Sequence, residues 1–393
     1  MKLSERIIGL NGAPGESDGW GVYYRARAMI EAGETLTMLC IGEHDRKTAP
    51  FILDAMDASA RGGNTGYALA LGQDGLRRAV AERVEAATGV DTTAANVMIT
   101  TGGQAALFAT MCAALDPGDT AVIVDPYYAT YPSTVRGAGG VLRTVAARPS
   151  KGFQPDASDL SAATEGARAL LINTPHNPTG AVYSRATMEG IAAVCRERDL
   201  WLISDEVYSG QVHEGAHLSP RALPGMAERT LVVGSMSKSY VMTGFRIGWV
   251  IGPEDVIAAM MSLANATTYG VPGFIQDAAE IALRQGAAEE AEVAALYNRR
   301  RDRAVAALEG SPVAVSPPDG AMYVMLDIRG TGMSGEAFAM ALLERERIAV
   351  MPGESFGRAA AGHVRVALTV GDEAMAAALR RLAQFASRLA KAA

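Results

Sequence analysis

Between residues 96 and 252, seven short apolar runs alternate with helical patterns, and this alternation limits the possible folds more than any other feature of the chain. The runs are 96–100, 120–124, 141–145, 169–173, 201–205, 230–234 and 247–251. Each has strand length, and each is apolar almost throughout rather than at every second residue, as in strands covered on both faces. Helical stretches such as 104–115 and 185–198 separate them, and Pro117-Gly118-Asp119 marks one return from helix to strand. The pattern predicts an α/β fold built on a mostly parallel seven-stranded sheet. After Pro253 the pattern changes. A region over 276–308, rich in Ala, Glu and Arg, reads as helix. It is followed by a strand-like 321–328, a helix around 334–345, a strand-like 364–368 and an amphipathic helix from Asp372 onward. These form a smaller α+β unit. Residues before about 45 have no sheet of their own and are expected to pack with it. The resulting division is 1–45 as an N-terminal segment, 46–285 as the large domain and 286–393 as the small one.

Composition excludes several classes. With 49% hydrophobic and 20% charged residues in 393, the chain reads as globular, with about two domains. A net charge of -7 argues against a sequence-independent nucleic-acid binder, which needs a basic face. The one basic cluster, Arg299-Arg300-Arg301 with Arg303, follows Glu289, Glu290 and Glu292 and reads as a solvated helix face with paired charges. Cys40, Cys112 and Cys195 form no Cys-x-x-Cys and read as buried thiols of a reducing compartment. His44, His176, His213, His217 and His363 are scattered, so no metal is expected. No stretch approaches the ~18 apolar residues of a membrane span. The first ten residues carry mixed charges, and the expected location is the cytoplasm.

The chemistry-bearing residues cluster at strand ends, where α/β folds place their sites. Ser235-Met236-Ser237-Lys238 follows the run 230–234, and Arg246 comes eight residues later. Two hydroxyls and a guanidinium suit a phosphate, and a nearby cation helps keep the lysine amine neutral and nucleophilic. The same segment also reads as an exposed loop lysine. Asp205 ends its strand, where a buried carboxylate requires a cation or a protonated ring nitrogen unless it only caps a helix. Tyr208, three residues on, could reach an oxygen of the same ligand. Asn173-Thr174-Pro175-His176-Asn177-Pro178 follows another strand end, and the Asn177 amide can donate to a phenolate. Thr101-Gly102-Gly103-Gln104 opens a helix whose free N–H groups suit an anion. Tyr128 could stack on a flat ring or belong to the core. Arg365, on the strand-like 364–368, needs an anion: either a planar carboxylate from a ligand or an internal acid.

Together these parts describe a pocket for pyridoxal phosphate, with a lysine, a strand-end carboxylate and a phosphate cup. In order and wording the segments resemble the class I/II aminotransferases of fold type I over nearly the whole chain. The resemblance implies that Lys238 forms the Schiff base and shuttles the substrate proton. It implies that Asp205 pairs with the ring nitrogen, that Tyr208 and Asn177 bond the ring oxygen, and that Tyr128 stacks on the ring. Gly103, Gln104, Ser235, Ser237 and Arg246 would hold the phosphate. Arg365 would bind the substrate carboxylate, with Asn177 and the backbone around Gly42 assisting. Tyr67 matches a tyrosine donated to the neighbouring subunit, which implies a homodimer with shared sites. The wording of 201–208, 237–252, 269–279 and 319–332 most resembles members that move the amino group of L-arginine to pyruvate by a ping-pong route. An aspartate or aromatic aminotransferase and a C–S β-lyase use the same pocket. Two positions depart from the family pattern. Gln104 stands where some members carry a lysine for a distal carboxylate, and His44 stands where the family commonly has proline in Gly-Glu-Pro-Asp. Trp20, Tyr23 and Tyr24 could cover the pocket.

Overall fold

A computed structural model describes residues 1–11, 19–315 and 317–391. Its strands in chain order are β1 (Thr37–Met38), β2 (Val97–Thr100), β3 (Thr120–Asp125), β4 (Val141–Ala146), β5 (Ala169–Asn173), β6 (Trp201–Asp205), β7 (Thr230–Ser235) and β8 (Gly248–Ile251). These are followed by β9 (Ala314–Val315), β10 (Tyr323–Asp327), β11 (Ile348–Ala349), β12 (Met351–Pro352) and β13 (His363–Ala367). Seven of them form one sheet in the order β2-β8-β7-β6-β5-β3-β4. All run parallel except β8, which is antiparallel to both β2 and β7.

The apolar runs of the inner strands are continuous because both faces of the sheet are buried there, whereas the edge strand β4, with Arg143 and Thr144, is largely exposed. Val122, Leu170 and Leu202 point to one face and pack with Met188, Ile191 and Cys195 of the helix Arg185–Glu197. Ile123, Leu171, Ile203 and Leu231 point to the other and meet Ala106, Leu107 and Met111 of the helix Gly103–Ala114. Each fully buried leucine or isoleucine contributes roughly 2 kcal/mol of hydrophobic stabilisation. That accounts for inner strands with almost no polar residue until their ends.

The small unit contains the antiparallel sheet β12-β13-β10-β9 and a parallel pair, β1 with β11. One core joins Val22, Ala26, Met29 and Leu39 to Phe338, Leu342, Leu379 and Phe385. The N-terminal segment thus packs with the C-terminal unit and adds a strand to it. We propose domain boundaries near residues 45 and 285, where the core of the large sheet gives way to this one.

One expectation is borne out and one needs correction. The region 276–308 is helical, as two helices, Gly273–Gln285 and Ala287–Leu308. They break at Gly286, where a side-chain carbon would lie 2.5 Å from the Ala282 carbonyl and 2.8 Å from the Tyr240 ring. The arginine cluster is not a uniformly solvated face, because Arg300 and Arg301 are buried. Arg300 contacts Asp45 through both terminal nitrogens, at 2.9 and 2.7 Å, and reaches Asp372 at 2.8 Å. Arg301 meets Glu214 at 3.0 Å. Both make pairs across the fold, and Arg301 also keeps partners on its own helix, Asp302 and Asn298, each at 2.8 Å. A further link joins the two units: the buried Asp125 carboxylate, at the end of β3, accepts from the backbone N–H groups of Arg358 and Ala359 at 3.0 and 3.1 Å.

Candidate active site

The carboxyl ends of β5, β6 and β7 open on one edge of the large sheet. Register places Asn173 beside Asp205, and Ser235 beside Gly248, which in turn faces Thr100. Gly248 has to be glycine here, because a side-chain carbon would lie 2.8 and 2.9 Å from the backbone of Gly102 and Gly103. The start of the helix Gly103–Ala114 therefore sits directly against β8, with its free N–H groups over the sheet edge. The result is a cavity of about 310 Å³ between the two units. Of the residues singled out from the sequence, Gly42, Gly103, Gln104, Tyr128, Asn177, Asp205, Tyr208, Ser235, Ser237, Lys238, Arg246 and Arg365 all line it. Tyr67 does not. It is 92% exposed and stands edge-on to Tyr269 at 5.3 Å. Trp20 lines the cavity, Tyr23 packs on the small-unit core and Tyr24 is exposed, so only one of the three aromatics reaches the site.

One end of the cavity is an anion cup. The Ser235 hydroxyl accepts from the Ser237 N–H at 3.1 Å and lies 2.9 Å from the Ser237 hydroxyl. The Arg246 guanidinium crosses to Gly102, so closely that a side chain there would meet it at 2.4 Å. Gln104 is spoken for: its amide nitrogen donates to Thr134 at 2.9 Å and its oxygen accepts from Thr130 at 2.8 Å. It therefore offers the cavity its backbone and a neutral amide edge.

Asp205 forms the floor. It is buried, accepts from the Tyr131 hydroxyl at 2.7 Å and from the Val207 N–H at 3.3 Å, and has no cationic partner among the described residues. Burial pushes its carboxyl up to about 6, with Tyr131 and the Val207 N–H opposing the shift and Glu206 adding to it. A carboxylate in this condition is completed by a positively charged group above it.

Lys238 projects into the cavity and donates to the Gly42 carbonyl at 2.5 Å. Its pKa is lowered chiefly by burial, then by Arg365 and Arg246, against Tyr323 and Glu43. The depression expected from Arg246 is thus real, but it is a minor contribution. Across the cavity, Arg365 is buried and lies over the rings of Tyr323 and Phe356, 4.3 and 4.4 Å from their centres. It donates to the Asn177 oxygen at 2.7 Å and to the Cys40 carbonyl, and its Nε has no partner. Among the described residues no carboxylate pairs with it, so the internal ion pair left open by the sequence is absent.

Two residues escaped sequence reasoning. Tyr131 bonds Asp205, and Tyr323 bonds the Tyr208 hydroxyl at 2.9 Å while lying under Arg365. Tyr323 also dictates Gly42, since a side chain there would come within 2.0 Å of the Tyr323 hydroxyl. A tyrosine three residues after Tyr128 was the only available signal for the first, and an aromatic inside a strand carries none for the second. Of the cysteines, Cys40 and Cys195 are buried as expected, and burial pushes both thiols up to about 12. Cys112 is only half-buried.

A lysine, a strand-end carboxylate and an anion cup on this fold define a pyridoxal-phosphate-dependent enzyme of fold type I. The chain matches the family Aminotransferase class I and II over residues 34–382 and belongs to it; it is a transaminase. It is 43% identical to the arginine–pyruvate transaminase AruH of Pseudomonas aeruginosa over 98% of each chain. With the aspartate/prephenate aminotransferase of Thermus thermophilus it shares 37% identity, over 84% of this chain and 86% of that one. An aspartate aminotransferase structure from Thermus thermophilus superposes with a TM-score of 0.91 at 36% identity, covering 98% of this chain and 99% of that one. An aromatic aminotransferase structure from Pyrococcus horikoshii gives 0.86 at 32%, covering 92% and 98%. No helix among the described residues is long and apolar enough to cross a membrane.

Proposed function

We propose that the chain transfers the amino group of an L-amino acid, L-arginine first, to a 2-oxo acid, pyruvate first, in two alternating half-reactions. The observation that carries this reading is Arg365: a buried guanidinium with a free edge and no carboxylate of its own, facing the Lys238 amine across one cavity. A substrate α-carboxylate supplies the missing planar anion, in the two-point geometry that guanidinium prefers.

The cavity fits pyridoxal phosphate. Ser235, Ser237, Arg246 and the N–H groups of Gly103 and Gln104 suit the phosphate, Asp205 suits the protonated ring nitrogen, and Asn177 and Tyr208 suit the ring oxygen. Tyr128, which lines the same cavity, would flank the ring. When bound, the cofactor supplies an electron sink for charge left on the substrate α-carbon. Lys238 would attach the cofactor and then, as a free amine whose burial favours the neutral form, hold and move the α-proton. Asp205 would keep its charge beside a cationic ring nitrogen, the form in which the cofactor is the stronger electron sink.

For the side chain, Gln104 presents no cation to a distal carboxylate, while Glu43 is an acid at the cavity rim. Both features suit a cationic substrate, as does the similarity to a protein named for arginine and pyruvate. Loss of the visible cofactor absorbance on adding each amino acid in turn tests the choice. Arginine should give the fastest change, and silence with arginine alongside a response to aromatic or dicarboxylic acids refutes it. We further infer a cytoplasmic homodimer in which the exposed Tyr67–Tyr269 pair lies at the interface and Tyr67 reaches the partner's phosphate cup. A monomer in sedimentation at working concentration sinks that part.

A further inference from the structure

His44 lies in the loop that holds the Lys238 amine, and none of the roles above uses it. Tyr297 stands edge-on to its ring at 5.4 Å, with the hydroxyl 2.8 Å from Nδ1. Nε2 is buried without a hydrogen-bond partner, and the ring lies beside the backbone of Ser237 and Lys238. The ring is thus confined on both edges. Two residues earlier, the Gly42 carbonyl accepts from Lys238 Nζ at 2.5 Å. One residue later, Asp45 is held by Arg300 of the helix Ala287–Leu308, the helix that also carries Tyr297. His44 therefore joins that helix to the backbone of the lysine loop. The charged and titratable groups around it are Lys238 on the lysine loop, Glu43, Asp45 and Arg46 on its own loop, and Tyr297 and Arg300 on the helix. Burial first and Lys238 second push its pKa down to about 4, against Asp45 and the nearby carbonyls, so the ring is neutral near pH 7.

We propose that His44 is a positioning residue for Lys238: braced by Tyr297, it fixes the 42–45 loop so that the Gly42 carbonyl stays on the lysine amine and sets how readily that amine loses its proton. The inference rests on Lys238 being the point of cofactor attachment. A carbonyl that accepts from the amine favours its protonated form, so a loosened loop makes the amine more acidic.

The test is the rate at which pyridoxal phosphate attaches to the cofactor-free full-length chain, followed by visible absorbance across pH, because attachment needs the neutral amine. His44→Phe and Tyr297→Phe should both move the midpoint of this pH–rate profile to lower pH by about 0.5 to 1 unit, the size of effect one hydrogen bond imposes. An unmoved midpoint in the folded variants, or an upward shift, overturns the proposal. Tyr297→Phe deletes one oxygen and keeps the ring, so it carries the test if His44→Phe does not fold. Lys238→Ala serves as the separate control. Attachment that persists there overturns the lysine assignment itself, whatever the His44 variants do.

Discussion

Replacing Arg365 with lysine keeps the charge and removes the fork. The guanidinium uses one terminal nitrogen on Asn177 and the other on the Cys40 carbonyl, and lies between the rings of Tyr323 and Phe356. An ammonium cannot hold these partners and also meet both oxygens of a substrate carboxylate. The loss is one charge-assisted hydrogen bond, worth about 1.5–3 kcal/mol, plus part of a desolvated cation–ring contact of roughly 1 kcal/mol. A total of about 2–4 kcal/mol corresponds to a roughly 30- to 1000-fold fall in kcat/KM. The assay follows the visible cofactor band against arginine concentration, in parallel with agmatine, the same molecule without its carboxylate. The preference for arginine over agmatine should collapse by that factor while the rate with agmatine changes little. If the preference is preserved in Arg365→Lys, the carboxylate is bound elsewhere and the reasoning fails.

Asp205 gives a pH signature. Its folded pKa, about 6, lies above the ordinary 3.8, so between those values the native chain without cofactor binds more protons than the unfolded chain, and stability falls as pH rises. The span corresponds to about 3 kcal/mol. Melting curves of the cofactor-free chain should show this loss between about pH 4 and 6, and Asp205→Asn should remove it. Equal pH slopes in the two proteins would contradict the assignment. Gly42→Ala forces a carbon to within 2.0 Å of the Tyr323 hydroxyl. The phenol must move off Tyr208 or the loop must lift from Lys238, and an overpacking cost of about 1–3 kcal/mol should appear as a roughly tenfold or larger fall in kcat. Steady-state kinetics indistinguishable from the parent protein refute that packing argument.

The fold was legible where one physical cause dominated. Burial on both faces made the inner strands of the large sheet apolar almost throughout, and β5 and β6 begin and end where the sequence predicts. Polar residues at those strand ends then stood out as candidates, which is why Asp205, Asn177 and Lys238 could be found without coordinates. Tyr131 and Tyr323 could not, because an aromatic inside an apolar segment looks the same whether its hydroxyl is used or merely packed. The arginine cluster misled for a related reason: helix spacing suggested local partners, whereas Arg300 found Asp45 and Asp372 through tertiary contact. The need for glycine at 286 likewise comes partly from Tyr240, remote in sequence.

The Asp125 tether bears on how the two units are held in register across the cavity. β3 and β6 are both neighbours of β5, so Asp125 and Asp205 end strands about 10 Å apart on one rigid sheet. The first carboxylate grips the backbone of the unit that carries Arg365, and the second forms the cavity floor. The tether pins the backbone leading into β13, and with it Arg365, to the same sheet that ends in Asp205, so the carboxylate-binding end of the cavity and its floor are referenced to one frame.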